Sequence, residues 1–370
     1  MGAACAVSVG GEIVADLWGG SRDPAHGLPW AGDTLVNVFS TTKGVSSVAL
    51  AHAHSRGLFS YDAPVARYWP EFAAAGKDGV TVRQLLSHQA GLCAIDEPLS
   101  LAALADPDTV AAAIAAQRPA WTPGDRHGYH AVSLGWYESE LLRRVDPDHR
   151  TIGRYFAGEI AGPLGLDFHI GLPDEIPADR VAVQQARHYV AKMPLNVHKM
   201  PAPFVLGYLN PRSITARSFA NPKALGQPLR YNDREVMRLE LPAANGIGTA
   251  RAVAALYGDL AIGSPRLGIG AGTLTALSSA ASDPREGRMD QVLRIPTRFS
   301  LGYCKPWPGF EFGSDRAFGT PGAGGSFGFA DPELGLGFGY VMNRMDYYLH
   351  SDPREVALRN AARECAARAG

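Results

Sequence analysis

Apolar and polar residues alternate near both ends of the chain, which is the pattern of strands with one buried face. Residues 3–18 read AACAVSVGGEIVADLW, with Gly10 and Gly11 in the middle. Paired glycines favour the tight turn of a hairpin, so this segment predicts two antiparallel strands. Glycine-punctuated strand candidates return late in the chain as RFSLGYCKPW from Arg298, GAGGSFGFADP from Gly322 and LGLGFGYVMNRM from Leu334.

Between these ends the apolar positions recur every three or four residues, which predicts helices. Helices are expected over residues 80–86, 108–117, 131–144, 152–160 and 249–261, the last behind a threonine cap, and a closing helix over 353–368. Residues 181–245 are rich in Pro, Asn and aromatic residues and show little periodicity. They predict long loops over a pocket, which makes them a candidate lid.

Strands at both ends with helices between them predict an α+β fold. One antiparallel sheet, flanked by helices, is built from both termini, and a mainly helical domain is inserted into it. The expected sheet domain comprises residues 1–60 and 290–370, and the expected helical domain residues 61–289, with lid-like loops at about 181–245.

Composition excludes several classes of partner. A formal net charge of -1 over 370 residues, without a block of like charges, gives no electrostatic footprint for nucleic acid or a membrane. No apolar run approaches the roughly 20 residues that span a bilayer, and no basic region precedes the apolar N-terminus, so a cytoplasmic location is expected. The four cysteines form no C-x-x-C pair, which argues against a zinc site or a disulfide framework.

Candidate chemistry begins at VNVFSTTKGVSSVAL, where Ser40 and Lys43 lie three residues apart. If a helix begins at Ser40, both side chains share one face, and the lysine can hydrogen-bond the serine hydroxyl. Lysine can take the serine proton only if burial lowers its pKa from about 10.4. The alternative is that Ser40 only caps the helix and Lys43 points to solvent, because S-x-x-K alone is a short pattern.

Two further stretches strengthen the catalytic interpretation. The stretch WTPGDRHGYHAVSLGWYESELLRRV places Tyr129 after a Pro-Gly turn and at the predicted start of a helix, where the phenol can project into a cleft. The stretch FGTPGAGGSFGFADP supplies a glycine-rich strand edge whose backbone N–H groups can face a developing oxyanion. His88, in LLSHQAGL, is expected to order a loop, with a supporting role near the site left open.

With these stretches in place, the sequence resembles the serine β-lactamase and penicillin-binding-protein superfamily, and most closely the family VIII carboxylesterases with the class C β-lactamase fold. The resemblance covers nearly the whole chain. It implies that Ser40 is the acylated nucleophile, Lys43 its proton partner, and Tyr129 the base that also passes a proton to the leaving group. It implies an oxyanion hole from the N–H groups of Ser40 and Ala323, with Gly322 allowing close approach of substrate.

The sequence departs from the superfamily pattern at two motifs. The Y-x-N motif of β-lactamases is Tyr129-His130-Ala131 here, so the amide that would hold a peptide-like side chain is missing. The K-T-G motif is Thr320-Pro321-Gly322, which lacks the cation for a β-lactam carboxylate. Relatives usually also carry a helix ahead of the first strand. Both motif changes favour uncharged esters, with Thr320 counted among the substrate-binding positions.

A second candidate nucleophile is Ser326, because Gly324 to Gly328 matches the G-x-S-x-G of α/β-hydrolases. That motif requires a helix after the serine, whereas FADPELGLGFGYVMN predicts a turn and a strand. The sequence therefore predicts a serine hydrolase of small carboxylic esters that uses Ser40 and needs no metal or organic cofactor. β-Lactam or D-alanyl peptide hydrolysis and acyl transfer stay open as alternatives, a binding module on an inactive scaffold is disfavoured, and the oligomeric state is open.

Overall fold

The computed structural model describes residues 1–186 and 189–369. The strands of this part of the chain are β1 (Gly2–Val9), β2 (Glu12–Asp23), β3 (Leu28–Pro29), β4 (Val36–Asn37), β5 (Phe168–Ile170), β6 (Gly246–Gly248), β7 (Phe318–Pro321), β8 (Phe327–Asp331) and β9 (Leu336–Met342). The longer helices are α1 (Thr41–Ser55), α4 (Pro107–Ala116), α5 (Ser133–Val145), α12 (Ala250–Ala261) and α14 (Pro353–Ala369). Shorter helices are α2 (Val82–Leu86), α3 (Leu101–Leu104), α6 (Ile152–Phe156), α7 (Gly162–Leu164), α8 (Tyr189–Lys192), α9 (Ala202–Leu209), α10 (Ile214–Ala220), α11 (Arg234–Arg238) and α13 (Ala271–Ser278).

The main sheet is antiparallel, with the strand order β3-β2-β1-β9-β8-β7. The predicted hairpin forms from β1 and β2, and its turn residues Gly10 and Gly11 have φ values of 59° and 86°, which glycine adopts without strain. Strand β1 also pairs with β9, with Cys5 opposite Tyr340. The α+β fold, with a sheet built from both termini, is therefore confirmed.

The two faces of β9 differ in side-chain size. Phe338 and Tyr340 belong to the apolar cluster that includes Ala366 of α14, so this face of the sheet is covered by the closing helix. Gly337 and Gly339 point to the other face, where a Cβ on Gly337 would lie 2.5 Å from the Ala254 carbonyl oxygen of α12. The alternation of large residues and glycine in LGLGFGYVM therefore lets α12 pack directly on the strand.

A small sheet positions the segment that leads into α1. Its strand order is β4-β6-β5, with Val36 opposite Gly248 and Phe168 also opposite Gly248. Strand β4 is followed by Phe39, Ser40 and then α1, whose residues from Thr41 to Ala53 are buried. Ser40 and Lys43 therefore lie at the start of a helix that runs through the core.

Several predicted elements differ from the structure. Residues 298–307 form a bend rather than a strand, because Gly302 has φ 85° and brings Phe299 opposite Cys304. The helix predicted over 131–144 begins two residues later, and Tyr129 lies in the preceding loop rather than at a helix start. The helix predicted over 152–160 is α6 followed by a π turn at Ala157–Ala161.

The predicted lid is not a long loop. Arg187 and His188 lie outside the described residues, and the segment after them contains α8 to α11 and the 3₁₀ turns Met193–Lys199, Lys223–Leu225 and Pro228–Asn232. Each element is shorter than about three turns, so the sequence offers too few repeats for a helical period to emerge. The domain division at residues 60 and 290 stays a prediction, and the packing of α12 on β1 and β9 favours placing α12 with the sheet. None of the described helices has both the length and the apolar character needed to cross a bilayer.

Candidate active site

The chain turns sharply from β4 into α1 at Phe39 and Ser40. Phe39 has φ 47°, a conformation that aromatic residues rarely adopt and that surrounding packing must hold in place. Its ring contacts Tyr231 edge-on at 5.0 Å between centroids. The Ser40 side chain makes no capping hydrogen bond to α1. The turn therefore presents the Ser40 hydroxyl for another purpose than helix capping.

Lys43 lies beneath this hydroxyl and is completely buried. Its Nζ lies 2.9 Å from Ser40 Oγ, 2.6 Å from the Ala131 carbonyl oxygen and 3.0 Å from the Ala243 carbonyl oxygen. A neutral amine has two N–H donors and one lone pair. In the neutral form, with both N–H groups on the carbonyl oxygens, the lone pair of Lys43 is free to accept the proton of Ser40.

Burial lowers the pKa of Lys43 from its usual value to about 7, against the opposing effects of nearby Glu138 and Cys304. A charged amine loses its hydration when it is buried, so burial favours the neutral form. Lys43 is therefore neutral in a large share of molecules near pH 7, which is the state that a proton acceptor requires.

Tyr129 faces the same hydroxyl from the side. Its ring centroid lies 4.8 Å from Lys43 Nζ. Burial raises the pKa of Tyr129 well above its usual range, although the neighbouring Ser40 side chain opposes this shift. Ser40, Lys43 and Tyr129, predicted from three separate motifs, thus meet in one cluster, with the tyrosine held in its protonated form.

The loop that carries Tyr129 is held by Asp290, a residue that no motif in the sequence marks. The Tyr129 backbone N–H donates to both carboxylate oxygens of Asp290, at 3.0 and 3.2 Å. The same buried carboxylate accepts from the N–H groups of Val292 and Leu293 at 2.8 and 2.7 Å. Asp290 therefore fixes the position of the tyrosine through its backbone.

His88 and His130 form a second support behind the tyrosine. The His130 backbone N–H donates to His88 Nδ1 at 3.1 Å, so this ring nitrogen carries no proton. His130 Nδ1 lies 2.8 Å from the Gly128 carbonyl oxygen, and the His88 ring contacts Tyr129 at 5.2 Å. Burial lowers the pKa of His130 to about 4. The expected loop-ordering role of His88 is thus matched by its contacts, and both rings are neutral at pH 7.

Glu138 is a further buried group that faces α1. Its Oε1 accepts from Ser47 Oγ at 2.7 Å, one helical turn beyond Lys43. Burial raises the pKa of Glu138 to about 8. Glu140, by contrast, pairs with Arg143 at 2.8 Å on another face of α5. The two carboxylates do not face one another, as their spacing on a helix predicts.

The glycine-rich turn after β7 brings Ala323 to the cavity that contains Ser40. Among the described residues, no protein acceptor receives the backbone N–H of Ser40 or of Ala323. Gly322 is needed for packing within the protein, since a Cβ there would lie 2.9 Å from Thr41 Oγ1 and overlap Val38 and Ser326. The expected role of Gly322 in admitting substrate stays a prediction.

Thr320 does not line the cavity. It is buried, and its Oγ1 would lie 3.0 Å from a Cβ on Gly44 of α1. The side chain therefore points into the core under α1, because β7 packs against that helix. Its position does not support the expectation that Thr320 contacts substrate, whereas Pro321, Ala323 and Gly324 do border the cavity.

Ser326 is placed as a structural residue. Its Oγ donates to the Val38 carbonyl oxygen at 2.7 Å and lies 3.0 Å from Thr41 Oγ1. Strand β8 follows it, rather than the helix that a nucleophile elbow requires. The G-x-S-x-G match therefore lies at the turn between β7 and β8, and its serine hydrogen-bonds residues at and just before the start of α1.

The cavity above Ser40 has a volume of about 240 Å³. Its wall contains no Lys, Arg, Asp or Glu among the residues that the structure describes. Much of the lining is apolar or aromatic. The segment after α8 contributes Met193, Met200, Phe204, Tyr208, Phe219 and Tyr231. The chain between β9 and α14 contributes Tyr347, Tyr348, Leu349 and His350, and Trp307 comes from the bend before β7. Burial lowers the pKa of His350 to about 4, so this wall is uncharged at pH 7.

The fold and this cluster define a serine hydrolase of the esterase and β-lactamase type. The chain belongs to the beta-lactamase family, whose model matches residues 1–361. It is 35% identical over 350 residues to Esterase/beta-lactamase LipL of Mycobacterium tuberculosis, covering 93% of this chain and 77% of that protein.

Solved structures show the same relationship. A family VIII carboxylesterase is 38% identical with a TM-score of 0.83, covering 99% of this chain and 92% of that one. A penicillin-binding protein homologue from Caulobacter crescentus is also 38% identical with a TM-score of 0.83, covering 98% and 92%. The resemblance to family VIII carboxylesterases is therefore confirmed, and the relatives are carboxylesterases and β-lactamase-like serine hydrolases.

Proposed function

We propose that the protein hydrolyses small uncharged carboxylic esters through an acyl-serine intermediate on Ser40. The observation that carries this proposal is the contact of Lys43 Nζ with Ser40 Oγ at 2.9 Å on the floor of a cavity without charged walls. Esters fit such a cavity because they carry no charge that would need a partner once water is displaced.

Acylation begins when neutral Lys43 accepts the proton of Ser40 as Oγ attacks the ester carbonyl carbon. The carbonyl oxygen becomes an oxyanion, which the N–H groups of Ser40 and Ala323 stabilise. Collapse of this intermediate breaks the bond to the alcohol oxygen. Tyr129 donates its proton to that oxygen and regains one from the Lys43 ammonium, so the alcohol departs neutral and the acyl group stays on Ser40.

Deacylation repeats these steps with water in place of Ser40. Water attacks the acyl carbon while its proton passes to the Lys43–Tyr129 pair, and Ser40 leaves as the alcohol with a returned proton. The carboxylic acid is released and the site is restored. The lowered pKa of Lys43 and the raised pKa of Tyr129 support Lys43 as the first proton acceptor and Tyr129 as the relay.

Several contacts favour esters over β-lactams or peptides. Ala131 stands where the Y-x-N motif of β-lactamases has its asparagine, so no side-chain amide is offered there, and the Ala131 carbonyl oxygen accepts from Lys43 Nζ. No cation borders the cavity in the described residues, so a β-lactam carboxylate would lose its hydration without gaining an ion pair. We further propose a small ester as the partner and a cytoplasmic location, which cell fractionation would test.

The test compares a short-chain p-nitrophenyl ester with a chromogenic cephalosporin. We expect the ester to be cleaved readily and the cephalosporin slowly or not at all. A fluorophosphonate probe should label Ser40 in wild type, and Tyr129→Phe should lower kcat while keeping the fold. A cephalosporin kcat/KM equal to or above that of the ester would contradict the ester assignment, and labelling of another residue would contradict the site.

A further inference from the structure

The lid segment, defined here as residues 189–232, has an unusual charge distribution. Its sequence contains six basic residues and no Asp or Glu, namely Lys192, Lys199, Arg212, Arg217, Lys223 and Arg230. The whole chain has a formal net charge of -1. The net charge of the whole chain is therefore close to zero because a strongly basic lid segment is balanced by a more acidic rest of the chain.

Half of these cations are not neutralised by the rest of the protein. Lys199 pairs with Asp346 at 2.7 Å, and Arg217 and Arg230 also have acidic partners. Lys192, Arg212 and Lys223 are exposed and form no ion pair with any described residue. The lid segment thus presents uncompensated positive charge to solvent.

Helix α9, in the middle of the lid segment, is apolar on two opposite faces. Phe204 and Tyr208, four residues apart, line the cavity above Ser40. Leu206 and Leu209 lie on the opposite side of the helix, with 71% and 67% of their surface exposed. A helix that served only as a cavity wall would carry polar residues on its outer face.

The adjoining 3₁₀ turn extends this exposed apolar surface. Turn Met193–Lys199 packs against α9, and its Leu195 and Val197 are 77% and 40% exposed. Exposed apolar patches on a soluble protein mark interaction sites. The lid segment therefore carries four exposed apolar residues and three exposed cations that form no ion pair with a described residue.

We propose that the outer face of the lid segment docks on an anionic lipid surface. Leucine side chains enter the headgroup boundary while lysine and arginine pair with lipid phosphates, which is how interfacial amphipathic helices bind membranes. A second copy of the chain would fit less well, because a two-fold contact would bring two sets of cations together without acidic partners.

Docking also has a consequence for the proposed ester hydrolysis. Only this consequence depends on the proposed function, and the docking itself does not. The inner face of α9 borders the cavity, so a docked lid would hold the cavity close to the lipid. Esters that partition into lipid would then reach Ser40 without crossing bulk water. The lid segment would act as the contact between the enzyme and a substrate pool.

The experiment measures co-sedimentation of the full-length protein with vesicles of phosphatidylglycerol and phosphatidylcholine in equal parts, and with vesicles of phosphatidylcholine alone. The test variant is Leu206→Ser/Leu209→Ser. The matched control is Val14→Ser/Leu17→Ser, which alters residues 61% and 60% exposed on β2, outside the lid segment. All proteins are checked for thermal unfolding and for kcat/KM on a soluble short-chain ester.

We expect wild type and the control to bind anionic vesicles at least tenfold more strongly than neutral ones, and high salt to weaken this binding. The lid variant should lose at least tenfold in binding while keeping its fold and its kcat/KM. Wild type that fails to bind anionic vesicles, a lid variant that binds like wild type, or a salt-independent self-association lost in the lid variant would each overturn docking. Failure of the esterase proposal would alter only the kcat/KM measurement.

Discussion

The Ser326 hydroxyl lies 3.0 Å from the Thr41 hydroxyl, so the serine of the G-x-S-x-G stretch is bonded to the residue that follows the proposed nucleophile. The same hydroxyl donates to the Val38 carbonyl oxygen, two residues before Ser40. Ser326 therefore holds the turn that presents Ser40 from both sides. Both serines are candidate nucleophiles in the sequence. In the fold, Ser40 is the proposed nucleophile and Ser326 supports the turn that carries it.

Replacement of the two serines should have unequal effects. Ser40→Ala removes the atom that carries the acyl group, and we expect kcat to fall by several orders of magnitude. Ser326→Ala removes the hydrogen bonds to Val38 and Thr41 but no reacting atom, which predicts a loss of about tenfold or less, or about 1.4 kcal/mol. The measurement is kcat/KM on one short-chain ester, with thermal unfolding as the folding control. A folded, active Ser40→Ala beside a folded, inactive Ser326→Ala would reverse the assignment.

The pH dependence should report Lys43. Because its pKa is lowered to about 7 and only the neutral amine accepts a proton, kcat/KM should rise as pH increases through about 7 and then level off. The raised pKa of Tyr129 keeps the relay protonated, so no fall is expected up to about pH 10. The matched variant Lys43→Arg keeps the charge but cannot lose its proton, and it should be nearly inactive. A profile that peaks in acid would refute this mechanism.

Glu138 predicts a pH-dependent change in stability. Its pKa is raised to about 8 in the folded protein, so between about pH 4.3 and 8 the folded state holds a proton that the unfolded chain releases. The stability of wild type should fall as pH rises across this window. Glu138→Gln does not titrate, and its Tm relative to wild type should increase from about pH 5 to pH 9. A constant difference between the two proteins would show that Glu138 is not held protonated.

Asp290 offers a test of backbone positioning. Asp290→Ala leaves the buried N–H groups of Tyr129, Val292 and Leu293 without an acceptor, at about 1–3 kcal/mol for each. We expect a lower Tm and a kcat/KM reduced by about 10- to 100-fold, because Tyr129 is displaced. Asp283→Ala, which removes a surface ion pair with Arg288, is the control and should change stability by about 0.5 kcal/mol or less. Equal behaviour of the two variants would contradict the role of Asp290.

The turn of the proposed oxyanion hole should be sensitive to one methyl group. Gly322→Ala places a Cβ against Ser326, Val38 and Thr41, so the turn that carries Ala323 must shift. We expect kcat to fall by about 100-fold, the scale of one lost oxyanion donor. Gly272→Ala in α13 is the control, since its Cβ meets nothing within 4 Å and alanine favours helix. A Gly322→Ala enzyme with wild-type kcat would show that Ala323 does not act through this turn.

Local pattern was sufficient for the parts of the site that depend on spacing along one element. The three-residue interval between Ser40 and Lys43 predicts a contact on one helix face, and Nζ lies 2.9 Å from Oγ. The hairpin at Gly10 and Gly11 follows from turn chemistry in the same way. In both cases the residues that determine the structure are close in sequence, so the local pattern is enough to predict it.

Contacts between residues far apart in the chain were not predictable from the sequence pattern. Asp290 holds Tyr129 across 161 positions, and His88 contacts His130 across 42, so no local period marks them. The predicted strand over 298–307 is wrong because the close approach of Gly302 to Ser47 and Glu138 on α1 and α5 decides its backbone. Such contacts arise from how elements are assembled, which a single sequence does not display.

The pairing of β1 with β9 also has a consequence for how the molecule forms. Ala3 pairs with Met342, so a central sheet contact joins residues that are far apart in the sequence. Contacts of such long sequence separation slow folding, since the chain must lose much freedom before they form. During synthesis the hairpin of β1 and β2 is made long before β9, so the edge of β1 that pairs with β9 stays open until then. We expect expression yield to depend on chaperones that shield this edge.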